Sequence, residues 1–428
     1  MEKLEKSSWK SPLVNLLLSR FPLISLGFLC FFLASFQYSG YRILWLTSVN
    51  LIFAVQMAMP SRALLTDDMT NSAFLSGVVS MGFAPALLLF SVLGGVIGDK
   101  FENKRIMQIV QIGFFATSVS TWILIEIDLI SWQFLFMMSM LQGALFSFQL
   151  PARYSFIPKI VPENLVSNGI ALLSSGMALV TVFSGSAVGY LYGKYGPSNV
   201  FLVISLIQLS SLFLTIYLPR TEKNNSVSEN YIDEMKNSFK YLIGNKMVLA
   251  ILFSSLIVSM VAMPVRLQLP IIARRLYMIS PGEIGFLLTL AGIGAVFGTF
   301  MISTLKKGNL RFLLFLMSAF GLGFCILIMG LFPFYSVGLI AVIFFGAFEQ
   351  IRMALSNVLT MEYTDKKYRA RMMGFFMLNF ASIPFGALPI GYGVDKIGAI
   401  STLKIDAIIL IVILLFLLTL SKSFRKIK

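Results

Sequence analysis

The stretch GGVIGDKFENKR, residues 94–105, decides how the rest of the chain is organised. A long apolar run, residues 74–97, precedes and overlaps it, and a second apolar run, residues 106–125, follows it. Two carboxylates and three cations lie in the polar part of the stretch. Because apolar runs of about 20 residues are long enough to cross a bilayer as helices, the stretch is predicted to be a short polar turn between two membrane spans.

Composition indicates an all-α polytopic membrane protein. Hydrophobic residues make up 57% of the 428 residues, well above a soluble domain. Hydrocarbon leaves free backbone groups unsatisfied, so runs of this kind are predicted to be helices. The net charge of +15 lies mainly in alternate loops, which indicates membrane topology and argues against nucleic-acid binding.

Cysteine and histidine usage limits the chemistry of the chain. Cys30 and Cys325 both lie in apolar runs and are far apart in sequence, so neither a disulfide framework nor a metal site is predicted. The chain has no histidine, so any proton-transfer step would need a carboxylate. No cofactor is predicted, and the proton gradient is the expected energy source.

Twelve spans are predicted, in two bundles of six that are joined by a polar middle loop. They are placed at residues 42–65, 73–98, 106–126, 131–150, 168–192, 199–218, 247–270, 283–304, 311–331, 334–357, 372–394 and 402–420. The predicted regions are an interfacial N-terminal segment, 1–40; the first bundle, 41–218; the middle loop with an amphipathic helix, 219–246; the second bundle, 247–420; and a basic tail, 421–428.

Charge distribution orients these spans. The cation-rich loops fall on one side, which predicts a multi-pass protein of the plasma (inner) membrane with both termini in the cytoplasm. The apolar segment at residues 21–36 is interpreted as an uncleaved interfacial helix. A thirteenth span there is the alternative, although it would place the basic N-terminus outside.

The opening stretch resembles the signature loop between spans 2 and 3 of the major facilitator superfamily, G-x-L-A-D-R-x-G-R-R. The resemblance implies the twelve-helix fold of that superfamily and a cytoplasmic gate. In this gate Asp99 would accept hydrogen bonds from the amides that begin span 11 and would pair with Arg153. The alternative is a solvated turn whose cations only set topology. The residues assigned to the gate are Gly95, Gly98, Asp99, Lys100, Lys104, Arg105 and Arg153.

Other segments resemble one exporter subgroup of this superfamily, which includes the enterobactin exporter and macrolide-efflux proteins. The similar segments are residues 150–175, 265–298 and 366–375. Span 5 also partly resembles the glycine motif of superfamily antiporters, and its glycines would let helices slide past one another. Plain helix packing is the alternative. These glycines are Gly176, Gly185, Gly189 and Gly193.

Polar residues inside the spans are candidates for coupling and cargo binding, since such residues are costly in a membrane. Glu349 is the candidate for proton coupling, and Arg352 lies three residues on, on the same helical face, so that the two can pair. A purely structural ion pair is the alternative. Asp67 and Asp68 are expected to be solvated at the outer mouth. The cavity candidates are Asn50, Gln56, Gln142, Gln149, Arg266 and Gln268, of which Arg266 is also a candidate for snorkelling.

Together these features predict a secondary transporter, not an enzyme. The predicted activity is export of small lipophilic or siderophore-like molecules by alternating access and proton antiport. An importer or uniporter on the same fold is the main alternative, and a non-transporting membrane receptor is a further one. Expected partners are the small-molecule cargo and membrane lipids, with no nucleic acid, and the chain is expected to be a monomer.

Overall fold

The computed structural model describes residues 34–90, 102–220, 231–303 and 309–420. Four gate residues, Gly95, Gly98, Asp99 and Lys100, therefore lie outside the described residues. So do residues 1–33, which include Cys30 and most of the segment considered for an extra span, and the tail at 421–428. The described residues form helices and short turns, with no β-strand among them.

Helices of membrane-spanning length account for most of the described chain, and they are numbered in chain order. They are α1 Ser39–Thr70, α2 Ala73–Phe90, α3 Asn103–Glu126, α4 Trp132–Ile160, α5 and α6 within Val166–Ile216, α7 Lys246–Leu267, α8 Pro281–Ser303, α9 Asn309–Leu331, α10 Tyr335–Tyr363, and α11 and α12 within Arg369–Leu420. Shorter helices lie at Ala34–Gln37, Glu163–Leu165, Tyr231–Gly244, Leu269–Tyr277 and Lys366–Tyr368.

Two of the helical stretches are too long to be single spans. Val166–Ile216 has 51 residues, whereas about 20 residues cross a bilayer. Gly196 has φ 80° and ψ 175°, and Gly398 has φ 81° and ψ 160°, which break the helical path. Because glycine tolerates a positive φ without strain, these residues end α5 and α11. The ten apolar helical stretches in the described residues are therefore consistent with twelve spans.

Polar caps mark where several helices begin. The Ser72 hydroxyl accepts a hydrogen bond from the Leu75 amide at 3.2 Å at the start of α2, and Ser131 caps α4 through the Phe134 amide at 3.3 Å. Such caps satisfy amides that have no partner in the first turn. Short polar residues between apolar runs therefore end one span and begin the next.

Prolines shape α4 and α7 differently from the prediction. Span 4 is predicted to end at residue 150, before Pro151, but α4 continues through Pro151 and Pro158 to Ile160, ten residues further. The α7 helix has a turn at Ala262, followed by a short helix that begins near Pro264, and a second short helix begins near Pro270. Proline removes one backbone donor, so it kinks a helix in some contexts and begins one in others.

The six helices α1–α6 and the six helices α7–α12 meet along two pairs, α2 with α11 and α5 with α8. Residues 70–73, 127–131, 278–280, 332–334 and 395–399 lie at one end of the bundle, called here the Asp395 end. Residues 102–104, 161–166, 217–220 and 364–368 lie at the opposite end, called the Lys104 end. A Cβ placed on Gly189 would lie 2.6 Å from the Gly285 Cα, so α5 and α8 are in backbone contact towards the Asp395 end.

Candidate functional site

A carboxylate from one half caps a helix of the other half at the Asp395 end. Asp395, at the end of α11, accepts hydrogen bonds from the Ser72 hydroxyl at 2.7 Å and from the Ala73 and Phe74 amides at 2.9 Å each. These amides begin α2 and have no partner within their own helix. A negative charge is favoured at this positive end of the helix dipole, so Asp395 holds the two halves together.

Two neighbouring arginines extend this contact. Arg274 Nη1 lies 2.5 Å from Asp68 Oδ1 and 3.4 Å from Asp67 Oδ2. Arg275 lies 2.7 Å from Asp67 and 2.5 Å from Asp395. Burial opposes protonation, yet the hydrogen bonds and charges of the partner carboxylates raise the pKa of both arginines, so both stay cationic. The expectation that Asp67 and Asp68 are merely solvated is therefore wrong, because both are paired across the halves.

Gln268 completes the contact, although it was predicted to line a cavity. Its side chain is 1% exposed, and Nε2 donates to the Ala73 carbonyl at 3.1 Å and to the Ala387 carbonyl at 3.2 Å. The Gln268 amide thus bridges α2 and α11 and does not line an open cavity. We call the set Asp67, Asp68, Gln268, Arg274, Arg275 and Asp395, with the first turn of α2, the Asp395 seal.

A second ionic contact lies within the second half. Glu349 of α10 forms a salt bridge with Arg266 at the end of α7, with side-chain exposures of 18% and 23%. Arg352 instead donates to the Ser255 hydroxyl at 2.9 Å and lies 3.4 Å from the Ser259 hydroxyl. The prediction that Glu349 can pair with Arg352 is therefore wrong, because both side chains contact residues of α7 instead. Arg266 is paired and does not snorkel.

At the Lys104 end, the predicted gate is described only in part. Arg153 is fully buried and donates from Nη2 to the Thr47 carbonyl at 3.3 Å. Gln149, whose side chain is also fully buried, lies against Arg153 and can accept from Nε and Nη2 at 2.5 Å with its amide oxygen turned towards them. These contacts join α4 to itself and to α1. The pairing of Arg153 with Asp99 stays a prediction, since Asp99 lies outside the described residues.

Two predicted gate cations in the stretch 94–105, Lys104 and Arg105, have local contacts. Lys104 donates to the Ile216 carbonyl at 2.7 Å and to the Leu218 carbonyl at 2.6 Å, where it caps the end of α6. Arg105 lies 3.5 Å from Glu102, and its side chain is 75% exposed. Neither contact reaches the second half, and a gating role for these residues stays a prediction.

The remaining cavity candidates contact neighbouring helices of the first half. Asn50 donates to the Ser210 hydroxyl at 3.2 Å and Gln56 to the Thr181 hydroxyl at 3.1 Å, which connects α1 to α6 and α5. Gln142 is 3% exposed and donates to Thr117 of α3 at 2.9 Å. These amides are thus engaged in helix packing in the described conformation, and cargo contact stays a prediction.

The span 5 glycines separate into two groups. A Cβ on Gly176 would meet the Trp45 ring at 2.9 Å, so this position packs α5 against α1 in the same half. Gly185, Gly189 and Gly193 instead face α8 of the other half. Three of the four predicted helix-packing glycines therefore lie at an interface between the two halves.

Sequence reasoning missed three charged residues. Asp395 was not among the predicted site residues, although it is a charged residue in the turn between predicted spans 11 and 12. Arg62 and Asp406 lie inside predicted spans 1 and 12 and were passed over. A listing of every ionisable residue inside an apolar run would have found both.

Helices α1–α12, in two halves of six that meet through α2/α11 and α5/α8, have the major facilitator fold, and this fold with the family and relatives given below makes the chain a membrane transporter and not an enzyme. Solved structures share this fold. A nucleoside transporter, NupG, superposes with a TM-score of 0.74 at 12% identity over 90% of this chain and 99% of that chain. A POT family transporter superposes with a TM-score of 0.70 at 12% identity over 90% and 97%.

The sequence also matches a particular family within this class. The chain belongs to the transmembrane secretion effector family, which matches residues 32–426. It is 24% identical over 378 residues to the enterobactin exporter EntS of Shigella boydii serotype 4, covering 84% of this chain and 86% of that protein. It is 24% identical over 291 residues to macrolide efflux protein A of Streptococcus pyogenes, covering 67% and 71%.

Proposed function

We propose that this transporter exports small lipophilic or siderophore-like molecules from the cytoplasm. The names of the two relatives, an enterobactin exporter and a macrolide efflux protein, support both the direction and the cargo class. Identity near 24% and a shared fold leave the cargo to be found by experiment. Import of a small solute on the same fold is the competing hypothesis.

The observation that carries the transport mechanism is the capping of α2 by Asp395. In the sequence analysis, Asp99 at the end of span 2 was predicted to cap the start of span 11. Asp395 at the end of α11 caps the start of α2, which is the reciprocal contact at the opposite end. Two such caps, formed in alternation, would close one end while the other opens, as expected for a carrier built from two related halves.

The distribution of cations among the loops supports one orientation of these ends. The Lys104 end carries the cation-rich loops and would lie in the cytoplasm, with both termini. The Asp395 end faces the outside, so the described conformation is the one with its outer side closed. Export would require this seal to open after cargo enters from the cytoplasm.

The Glu349–Arg266 pair is the proposed site of proton coupling. Both side chains are about a fifth exposed, so a proton can reach the carboxylate without unfolding of the bundle. Protonation would remove the negative charge and release Arg266 from the ion pair. Exchange of a proton for cargo at this pair would drive antiport, and no cofactor would be needed.

The outer surface of the bundle fits a lipid environment. On α9, Phe324 is 53% exposed, Ile328 40% and Leu331 49%, and their spacing places them on one helical face. A face of this kind in α9 is expected to contact lipid tails. We also propose that the chain transports its cargo as a monomer.

Dye efflux from cells tests the proposal. Cells expressing wild type should retain less of a lipophilic fluorescent dye than cells with an empty vector, and an uncoupler should abolish the difference. Asp99→Asn and Glu349→Gln should both fail at matched membrane levels. Unchanged retention for wild type would count against broad lipophilic export, and an uncoupler-resistant efflux would count against proton antiport.

A further inference from the structure

Arg62 is a charged residue of α1 that the mechanism above does not use. It lies five residues before Asp67, and the residue is only 5% exposed. None of the ion pairs or side-chain hydrogen bonds among the described residues includes its guanidinium, and Nη1 is buried without a partner there. An unpaired charge in such a place is unfavourable by several kcal/mol.

The other arginines buried in or near the spans show what is usual in this chain. Arg352 donates to two serine hydroxyls, Arg266 pairs with Glu349, and Arg153 donates to a carbonyl. Each guanidinium thus has acceptors within the described structure. Arg62 differs, so its acceptor is expected to come from beyond the described residues.

A small cavity lies against Arg62. Its volume is about 30 Å³, and its wall includes Ser80 of α2, Ser139 of α4, Leu267 of α7 and Pro384 of α11. The wall is drawn from both halves, so the cavity lies in the path that alternating access would open. A volume of this size is above the roughly 10–15 Å³ that one water molecule needs, so it can hold a small polar group such as a carboxylate.

The composition of the wall selects an anion. A guanidinium presents planar donors that match a carboxylate, and the Ser80 and Ser139 hydroxyls can also donate. The described wall contributes one cation and no carboxylate. A neutral or cationic group would leave the Arg62 charge uncompensated, whereas an anion neutralises it.

We infer that Arg62 is the anchor of an anion-binding site between the halves, which takes either an anionic group of the cargo, such as a carboxylate, or a small free anion. The inference names the charge class of the cargo and in that respect rests on the proposed function. Site occupancy, however, can be measured on purified protein without any transport.

The test follows thermal unfolding of the purified full chain in nanodiscs with sodium acetate, acetamide or sodium chloride. Acetate and acetamide have nearly the same shape and differ in charge. Acetate should raise the Tm of wild type at a concentration about tenfold below any effect of acetamide, and Arg62→Gln should abolish this difference. Lys194→Gln, which removes an exposed cation at the same end, should preserve it.

The chloride arm identifies the source of the anion. If acetate acts through Arg62 and chloride does not, the site takes a carboxylate of the cargo; if chloride acts through Arg62 equally well, it takes a free anion. A wild-type response shared by Arg62→Gln, or no response to either anion, would overturn the inference. A fall in the ligand-free Tm of Arg62→Gln would also overturn it, since it would show that Arg62 serves the fold. An acetate effect without dye export would keep this site and reject the export proposal.

Discussion

Replacement of Asp395 by asparagine should open the Asp395 end. The wild-type carboxylate accepts three hydrogen bonds from the start of α2 and pairs with Arg275 at 2.5 Å. Asparagine keeps an acceptor oxygen but loses the charge, so the ion pair and the favourable interaction with the helix dipole are both lost. Opening of this end would separate α2 from α11 and break these contacts, so their loss should shift the population and not the fold.

The size of the shift follows from the geometry of Asp395. Hydrogen bonds to a charged group contribute about 1.5–3 kcal/mol each, and a charge at a helix terminus contributes about 0.3–1 kcal/mol. The side chain is 20% exposed, and asparagine retains part of each hydrogen bond, so a net loss of about 2 kcal/mol is reasonable. The ratio of open to closed molecules at this end should therefore rise about 30-fold.

Distances between spin labels would measure that ratio. Leu129, between α3 and α4, is 68% exposed, and Phe332, after α9, is 53% exposed, and both lie at the Asp395 end in different halves. Cysteine labels at these sites, in a chain with Cys30 and Cys325 replaced by serine, should show a longer-distance population that grows in Asp395→Asn.

A matched control separates this effect from charge loss in general. Glu283 lies at the same end, and its carboxylate caps Ser280 locally, at 2.9 Å from the amide and 2.8 Å from the hydroxyl. Glu283→Gln should leave the distance distribution unchanged. If Asp395→Asn gives the same distribution as wild type, the carboxylate does not hold the seal and the reasoning is refuted.

Three further substitutions give distinct expectations. Gly189→Leu should slow export at matched membrane levels, because its Cβ would lie 2.6 Å from the Gly285 Cα and force α5 and α8 apart; a wild-type rate of dye efflux would contradict this contact. Arg352→Met should retain uncoupler-sensitive efflux while Glu349→Gln loses it, because the described hydrogen bonds of Arg352 go to serines and the ion pair of Glu349 is with Arg266. Asp406→Asn should leave dye efflux unchanged and raise the Tm or leave it the same, because Oδ2 is buried with no hydrogen-bond partner among the described residues; a loss of coupling there would move the proton site to α12.

Hydropathy predicted the helices well because each span must be apolar and must satisfy its backbone hydrogen bonds within its own helix. The predicted start of span 2 at residue 73 coincides with the observed start at Ala73, where Ser72 provides the cap. The predicted end of span 4 was wrong by ten residues because proline was interpreted as a stop, whereas α4 continues through Pro151 and Pro158. Hydropathy reports the length of an apolar run, but a helix can extend beyond it into polar sequence.

Partners of charged residues could not be predicted from spacing along one helix. Glu349 and Arg352 are three residues apart, yet Glu349 pairs with Arg266, which is 83 positions away in sequence. Asp67 and Asp68 find partners more than 200 positions away. Such pairs depend on which helix faces lie together, and a single sequence does not contain that information. Asp395 is a further case, because it lies at the carboxyl end of α11 and caps the start of α2, 322 positions away from Ala73.

Energised everted membrane vesicles test the central claim, proton-driven export, most directly. Vesicles containing wild type should accumulate a lipophilic fluorescent dye when a proton gradient is imposed and should release it when an uncoupler is added. Vesicles with Glu349→Gln should behave as vesicles from cells with an empty vector. Depletion of dye from energised wild-type vesicles, or accumulation that persists with the uncoupler, would contradict the account.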